Sequence, residues 1–166
     1  MLLLSKQISV VWLYIKIKSS IFSVNRLVPG LFIFSNATIL SDSIDLTLQT
    51  IKSVLASDMT IPYHYYVYND FSTTENTARL QKASEEMGFE LIHLADLTDH
   101  PSPNYLLILQ MAQQKAIESE AGLLIVESDV VVKKNTLQKL FDGAVELPNC
   151  GIAAAVTVDE NGNVVD

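Results

Sequence analysis

Cysteine is nearly absent from this chain. Cys150 is the single one in 166 residues, which excludes an internal disulfide and any cysteine-based zinc cluster. The three histidines, His64, His93 and His100, are far apart, and no H-E-x-x-H spacing occurs. A reducing, cytoplasmic setting is the simpler expectation. Basic residues are also scarce: 11 Lys and Arg face 19 Asp and Glu, for a net charge of -8. Nucleic acid is therefore not expected as a partner, because a phosphate backbone favours a basic surface. The apolar run Ile8–Ile15 is far short of the ~20 residues that span a bilayer. Glycine-rich signatures are missing as well. There is no G-x-G-x-x-G after the first strand, no G-x-x-x-x-G-K-[ST] and no G-x-S-x-G. Their absence argues against a dinucleotide-binding Rossmann domain, a P-loop and a serine hydrolase.

What is present is apolar residue, 49% of the chain, with only 18% charged. That composition supports one domain with a sizeable core. Charge is uneven along it. Residues 1–26 hold Lys6, Lys16, Lys18 and Arg26 and no acid, leaving 7 basic against 19 acidic residues for the rest. We therefore divide the chain into a basic apolar leader, 1–28, and a body, 29–166. The leader reads as an upstream extension outside the fold. It also reads as a basic, aromatic-bearing anchor giving peripheral contact, through residues 1–26, with the inner face of a membrane. A signal peptide is the poorer reading, for want of a small-x-small cleavage site.

Hydrophobic periodicity orders the body. Leu31–Phe34, Tyr63–Tyr68, Phe89–Leu94, Leu123–Val126 and Gly151–Val158 read as strands. Between them, Ile44, Leu48, Ile51 and Leu55 recur at helical spacing, with Ser41 or Asp42 as N-cap. Thr74–Met87 reads as a helix closed by Gly88. Tyr105–Ser119 reads as another, with Leu109, Ala112, Ala116 and Ile117 inward. In Asn135–Val145, Leu137, Leu140, Phe141 and Ala144 face in. Strand and helix alternate throughout, so the expectation is an α/β fold, three-layer α/β/α, with a mostly parallel sheet. Asp166 follows a turn that should lead into another strand, so the domain reads as incomplete at its C-terminus.

Two strand ends carry the chemistry. Tyr66-Val-Tyr runs into Asn69-Asp70-Phe71-Ser72-Thr73, and Ile125-Val runs into Glu127-Ser128-Asp129. In open α/β sheets ligands bind beyond the carboxyl ends of the strands, and acidic oxygens there can hold a hard divalent cation and, through it, a diphosphate. One acidic strand end alone is weak evidence, because turns favour Asp and Asn for local hydrogen bonding. The pair, separated by two helices and a strand, is more specific.

The ordered pair resembles the nucleotide-binding half of family 2 glycosyltransferases of the GT-A fold. In that family an early strand ends in D-[DN]-x-S-T and a later one in D-x-D, and the chain offers Asn69–Thr73 and Glu127–Asp129. The run from Asp129 to Leu140 resembles the D-V-x-V-x-x-x-x-L-x-x-L stretch of rhamnosyltransferase-like members. Leu147–Ala153 and Val158–Val164 resemble the P-x-x-G strand and D-x-x-G turn that follow. Two departures stand out: Glu127 replaces the first Asp of D-x-D, and Asn69 replaces an acid.

The resemblance implies a glycosyltransferase that takes a UDP- or dTDP-linked sugar and transfers its hexosyl or deoxyhexosyl group to a glycan or lipid-linked acceptor. The setting would be surface polysaccharide or glycoconjugate synthesis. It implies Mg²⁺ or Mn²⁺ on Asp129, with Glu127 at the metal shell or the ribose. Asp70 would accept a hydrogen bond from the base, with Asn69 beside it. Asn36, at the first strand end, would lie against the nucleotide, and it reads equally as a plain turn residue. No residue is assigned as catalytic base. The alternative is a non-catalytic nucleotide-sugar-binding remnant or scaffolding domain lacking the acceptor half. A receiver-like regulatory module would need a late-strand lysine that the chain does not offer.

Overall fold

The computed structural model describes residues 11–14, 31–37, 44–147, 150, 152–156, 158–159 and 163–164, with side chains from residue 44 onward. The fold is mixed α/β. In chain order the described elements are β1 (Val11–Tyr14), β2 (Leu31–Ala37), α1 (Ile44–Leu55), β3 (Tyr63–Asn69), α2 (Thr74–Met87) and β4 (Glu90–His93). After a short 3-10 turn come α3 (Tyr105–Glu118), β5 (Gly122–Val126), α4 (Thr136–Glu146) and β6 (Ile152–Ala155).

The strands order β4-β3-β2-β5-β1-β6. β2 pairs in parallel with β3 and with β5, and β3 pairs in parallel with β4. β1 is antiparallel to both β5 and β6. Val11–Tyr14 lies inside the segment expected to stand apart as a leader, and it supplies a strand between β5 and β6. The other leader residues and the proposed caps Ser41 and Asp42 lie outside the described residues.

Strand alternation distributes β3 between two cores. Tyr65 and Val67 join Leu124 and Val126 of β5 under α1, α2 and α4. Tyr66 and Tyr68 join Leu123 under Ile108, Ala112 and Ala116 of α3. Helices therefore cover both sides of the parallel strands, as expected when such strands are buried on both faces. The inward stripe of α3 begins at Ile108 rather than Leu109, and Ile117 is exposed. The i, i+4, i+8 row sets that face, and Ile117 falls a quarter-turn off it. In α4 the expected Leu137, Leu140 and Ala144 are buried, with Phe141 packed at their margin.

Helix ends follow local chemistry. Thr73 caps α2, its Oγ1 accepting the Asn76 N–H at 3.3 Å. Gly88 ends α2 at φ 81°, a left-handed position that favours glycine. α3 closes with Ala121 N–H on Ala116 O (2.9 Å) and Glu120 N–H on Ile117 O (3.2 Å). That is a Schellman closure, which puts Glu120 in the left-handed region at φ 51°.

Candidate functional site at the carboxyl ends of the parallel strands

Chain order reverses between β2 and β5. From β2 the chain winds outward to β3 and β4, then returns to lay β5 on the other side of β2. Such a reversal opens a crevice above the two diverging connections. The last registered β2–β5 pair is Ser35 with Val126. The residues that follow this pair are Asn36, still in β2, and Glu127, just past the end of β5, so the register brings those two candidates to one edge. The Asn36 side chain lies outside the described residues.

Glu127 is half-buried and its Oε1 accepts the Tyr105 hydroxyl hydrogen bond at 3.3 Å. Burial pushes its carboxyl above the ordinary range; Tyr105 pulls it back in part, and the Asp129 charge raises it further. Tyr105 is raised in turn, by burial first and then by Glu127. Asp129 is exposed, while Val130 and Val132 beyond it are buried. This stretch is anchored to α1 and to the turn after it: Val132 N–H donates to Ser53 Oγ at 3.1 Å, and Asp58 N–H donates to Lys134 O at 2.8 Å. Two apolar anchors thus fix a carboxylate that points to solvent.

At the end of β3 the polar side chains of Asn69 and Asp70 are engaged within the fold. Asp70 is 1% exposed. Its Oδ2 accepts from Ser102 Oγ at 3.0 Å and from Asn104 N–H at 2.8 Å, and its Oδ1 accepts from Asn104 Nδ2 at 2.7 Å. It therefore clamps the Pro-rich loop and the start of α3. Asn69 is equally engaged: Nδ2 donates to Thr77 Oγ1 and to His93 Nδ1, both at 3.0 Å, and Oδ1 accepts the Ser72 N–H at 3.1 Å. The residue that follows Asp70, Phe71, has φ 57° and is 41% exposed.

Glu127 and Asp129 thus form one group with Tyr105, and Asn69 and Asp70 form another, two strand spacings away. With ~4.8 Å between neighbours, that is about 10 Å. No group of three or more His, Cys, Asp or Glu able to hold a metal occurs among the described residues. Mg²⁺ commonly takes one or two carboxylates and completes its shell with water and substrate phosphates. Asp129, with Glu127 ionised, fits that partial donor set.

A separate cleft of about 540 Å³ lies at the N-terminal ends of α1 and α2, lined by Ile44, Asp45, Thr73, Asn76 and Arg79 among others. Arg79 pairs there with Asp45. Neither Glu127 nor Asp129 lines it.

Sequence reasoning did not single out Tyr105, Ser102 or Asn104. Pro101 and Pro103 mark their loop, but nothing in the spacing tells that it closes on Asp70. Among the described residues no helix is long and apolar enough to cross a membrane. No protein-family model matches the chain, and no curated protein matches it.

Proposed function

We propose that this chain is a nucleotide-diphosphate-sugar-binding domain of a glycosyltransferase of the GT-A kind, with its donor site at the β2–β5 reversal. The observation that carries the reading is the position of Glu127 and Asp129 at that reversal, where open α/β sheets take their ligands. The resemblance of the two strand-end motifs to those of family 2 glycosyltransferases supports the choice of ligand. The ~10 Å between the ends of β3 and β5 suits the extent of a nucleoside diphosphate.

In this reading Asp129 holds Mg²⁺ or Mn²⁺, and Glu127, once ionised, completes the protein's share of the shell. The bound ion supplies charge stabilisation at the diphosphate. Tyr105 holds the Glu127 carboxylate in place. Asp70 acts indirectly, fixing the loop that carries Tyr105. No residue is assigned to remove the acceptor proton.

Calorimetric titration of UDP and dTDP, with and without Mn²⁺, tests the reading. We expect metal-dependent binding that Asp129→Ala reduces at least tenfold. No binding of either nucleotide by the native chain overturns it. The second reading, a binding domain without catalysis, is favoured by the engagement of Asp70 and Asn69 in the fold. Donor binding with no hydrolysis or transfer of the sugar would select it.

A further inference from the structure

Two described non-glycine residues have positive φ: Glu120 and Phe71. Glu120 is explained by the Schellman closure of α3. Phe71 is not. It lies between a strand end and a helix cap, and the left-handed region is unfavourable for a bulky side chain. Both neighbours hold it there. Asp70 before it is clamped by Ser102 and Asn104, and Ser72 after it donates its N–H to Asn69 Oδ1. The strained backbone does not bury the ring in a core: Phe71 stays 41% exposed. An exposed aromatic is ordinary. An exposed aromatic held at a costly dihedral by two buried anchors is not, and such strain concentrates at functional sites.

The site's chemistry narrows what the ring receives. Asp70, the residue before it, is buried and already accepts three hydrogen bonds, so a base at this strand end meets the aromatic ring rather than an open carboxylate. We propose that Phe71 is the stacking platform for the base of the nucleoside diphosphate, and that base recognition here is by stacking and tolerant of base identity. This rests on the donor-site reading and adds the residue and the mode of recognition.

The test uses the full chain with Mn²⁺ and three probes: UDP, GDP and inorganic pyrophosphate, which lacks a base. UDP and GDP should bind with similar affinity, both more tightly than pyrophosphate. Base-on-aromatic stacking is worth roughly tenfold or more in affinity when the ring is removed. Phe71→Gly should therefore bind UDP about tenfold more weakly, while its denaturation midpoint rises because the left-handed position no longer carries a Cβ. Glu120→Gly, relieved in the same way but remote in role, should leave UDP affinity unchanged. A Phe71→Gly chain that binds UDP as tightly as the native one overturns the proposal. So does one with a lowered midpoint, which would mean the ring packs rather than waits. A strong preference for UDP over GDP overturns base tolerance. If the native chain binds pyrophosphate but gains nothing from a base, the platform fails and the donor site stands. If it binds none of the three, both fail.

Discussion

A buried carboxylate and a half-buried one divide the work at the sheet edge. Asp70 is surrounded by donors, so truncating it leaves Asn104 N–H, Asn104 Nδ2 and Ser102 Oγ without their acceptor. Unsatisfied buried donors cost roughly 1–3 kcal/mol each at their strongest. Asp70→Ala should therefore destabilise by about 3 kcal/mol in urea denaturation, and also loosen Tyr105 from Glu127. Glu127 behaves in the opposite sense. Its carboxyl is raised in the folded state, so the folded chain holds its proton over a range where the unfolded chain has released it. Stability then falls as pH rises from the ordinary carboxylate range through the raised value. Glu127→Gln should abolish that decline, seen as a difference between native and variant unfolding curves across pH. Tyr105→Phe removes the hydrogen bond that favours the charged form, so the carboxyl should titrate higher still by carbon NMR.

Elements were largely legible from pattern, and their misfits are instructive. All four helices and the three strands from Tyr63 to Val126 match the expected segments closely, because alternation and 3.6-residue periodicity encode burial directly. The inward row of α3 differs from the expected one because its first turn is apolar all round: Leu106, Leu107, Ile108 and Leu109 are consecutive. Only the facing tyrosines choose among them. Burial, first of all, pushes the Tyr66 and Tyr68 hydroxyls up to about 12 from 10.0, with smaller contributions from Glu90 to both and from Tyr66 to Tyr68. Between those values the unfolded tyrosines ionise and the folded ones do not. Stability present below pH 10 should therefore fall as pH rises toward 12, visible as phenolate absorbance appearing together with loss of helical circular dichroism. At the end of α2, a Cβ on Gly88 would meet nothing within 4 Å. Gly88→Ala should thus cost about 1 kcal/mol, all of it conformational.

The whole molecule adds what no element carries. β1 lies between β5 and β6, so a chain lacking residues 1–28 deprives Ile152–Ala155 of its partner strand. Amide hydrogen exchange at those residues should accelerate in the shortened chain; unchanged protection would restore the leader to a position outside the sheet. The alternation of strands and helices, the Gly88 helix end and the acidic ends of two strands were all readable in the sequence, because each depends on neighbours within a few positions. The sequence could not tell that Asp70 closes on a loop 32 to 34 residues away, that Tyr105 meets Glu127, or that Phe71 is held left-handed. Those are products of strand order and loop closure, in which residues distant in the chain compete for the same hydrogen bonds, and only the assembled sheet decides which of them win.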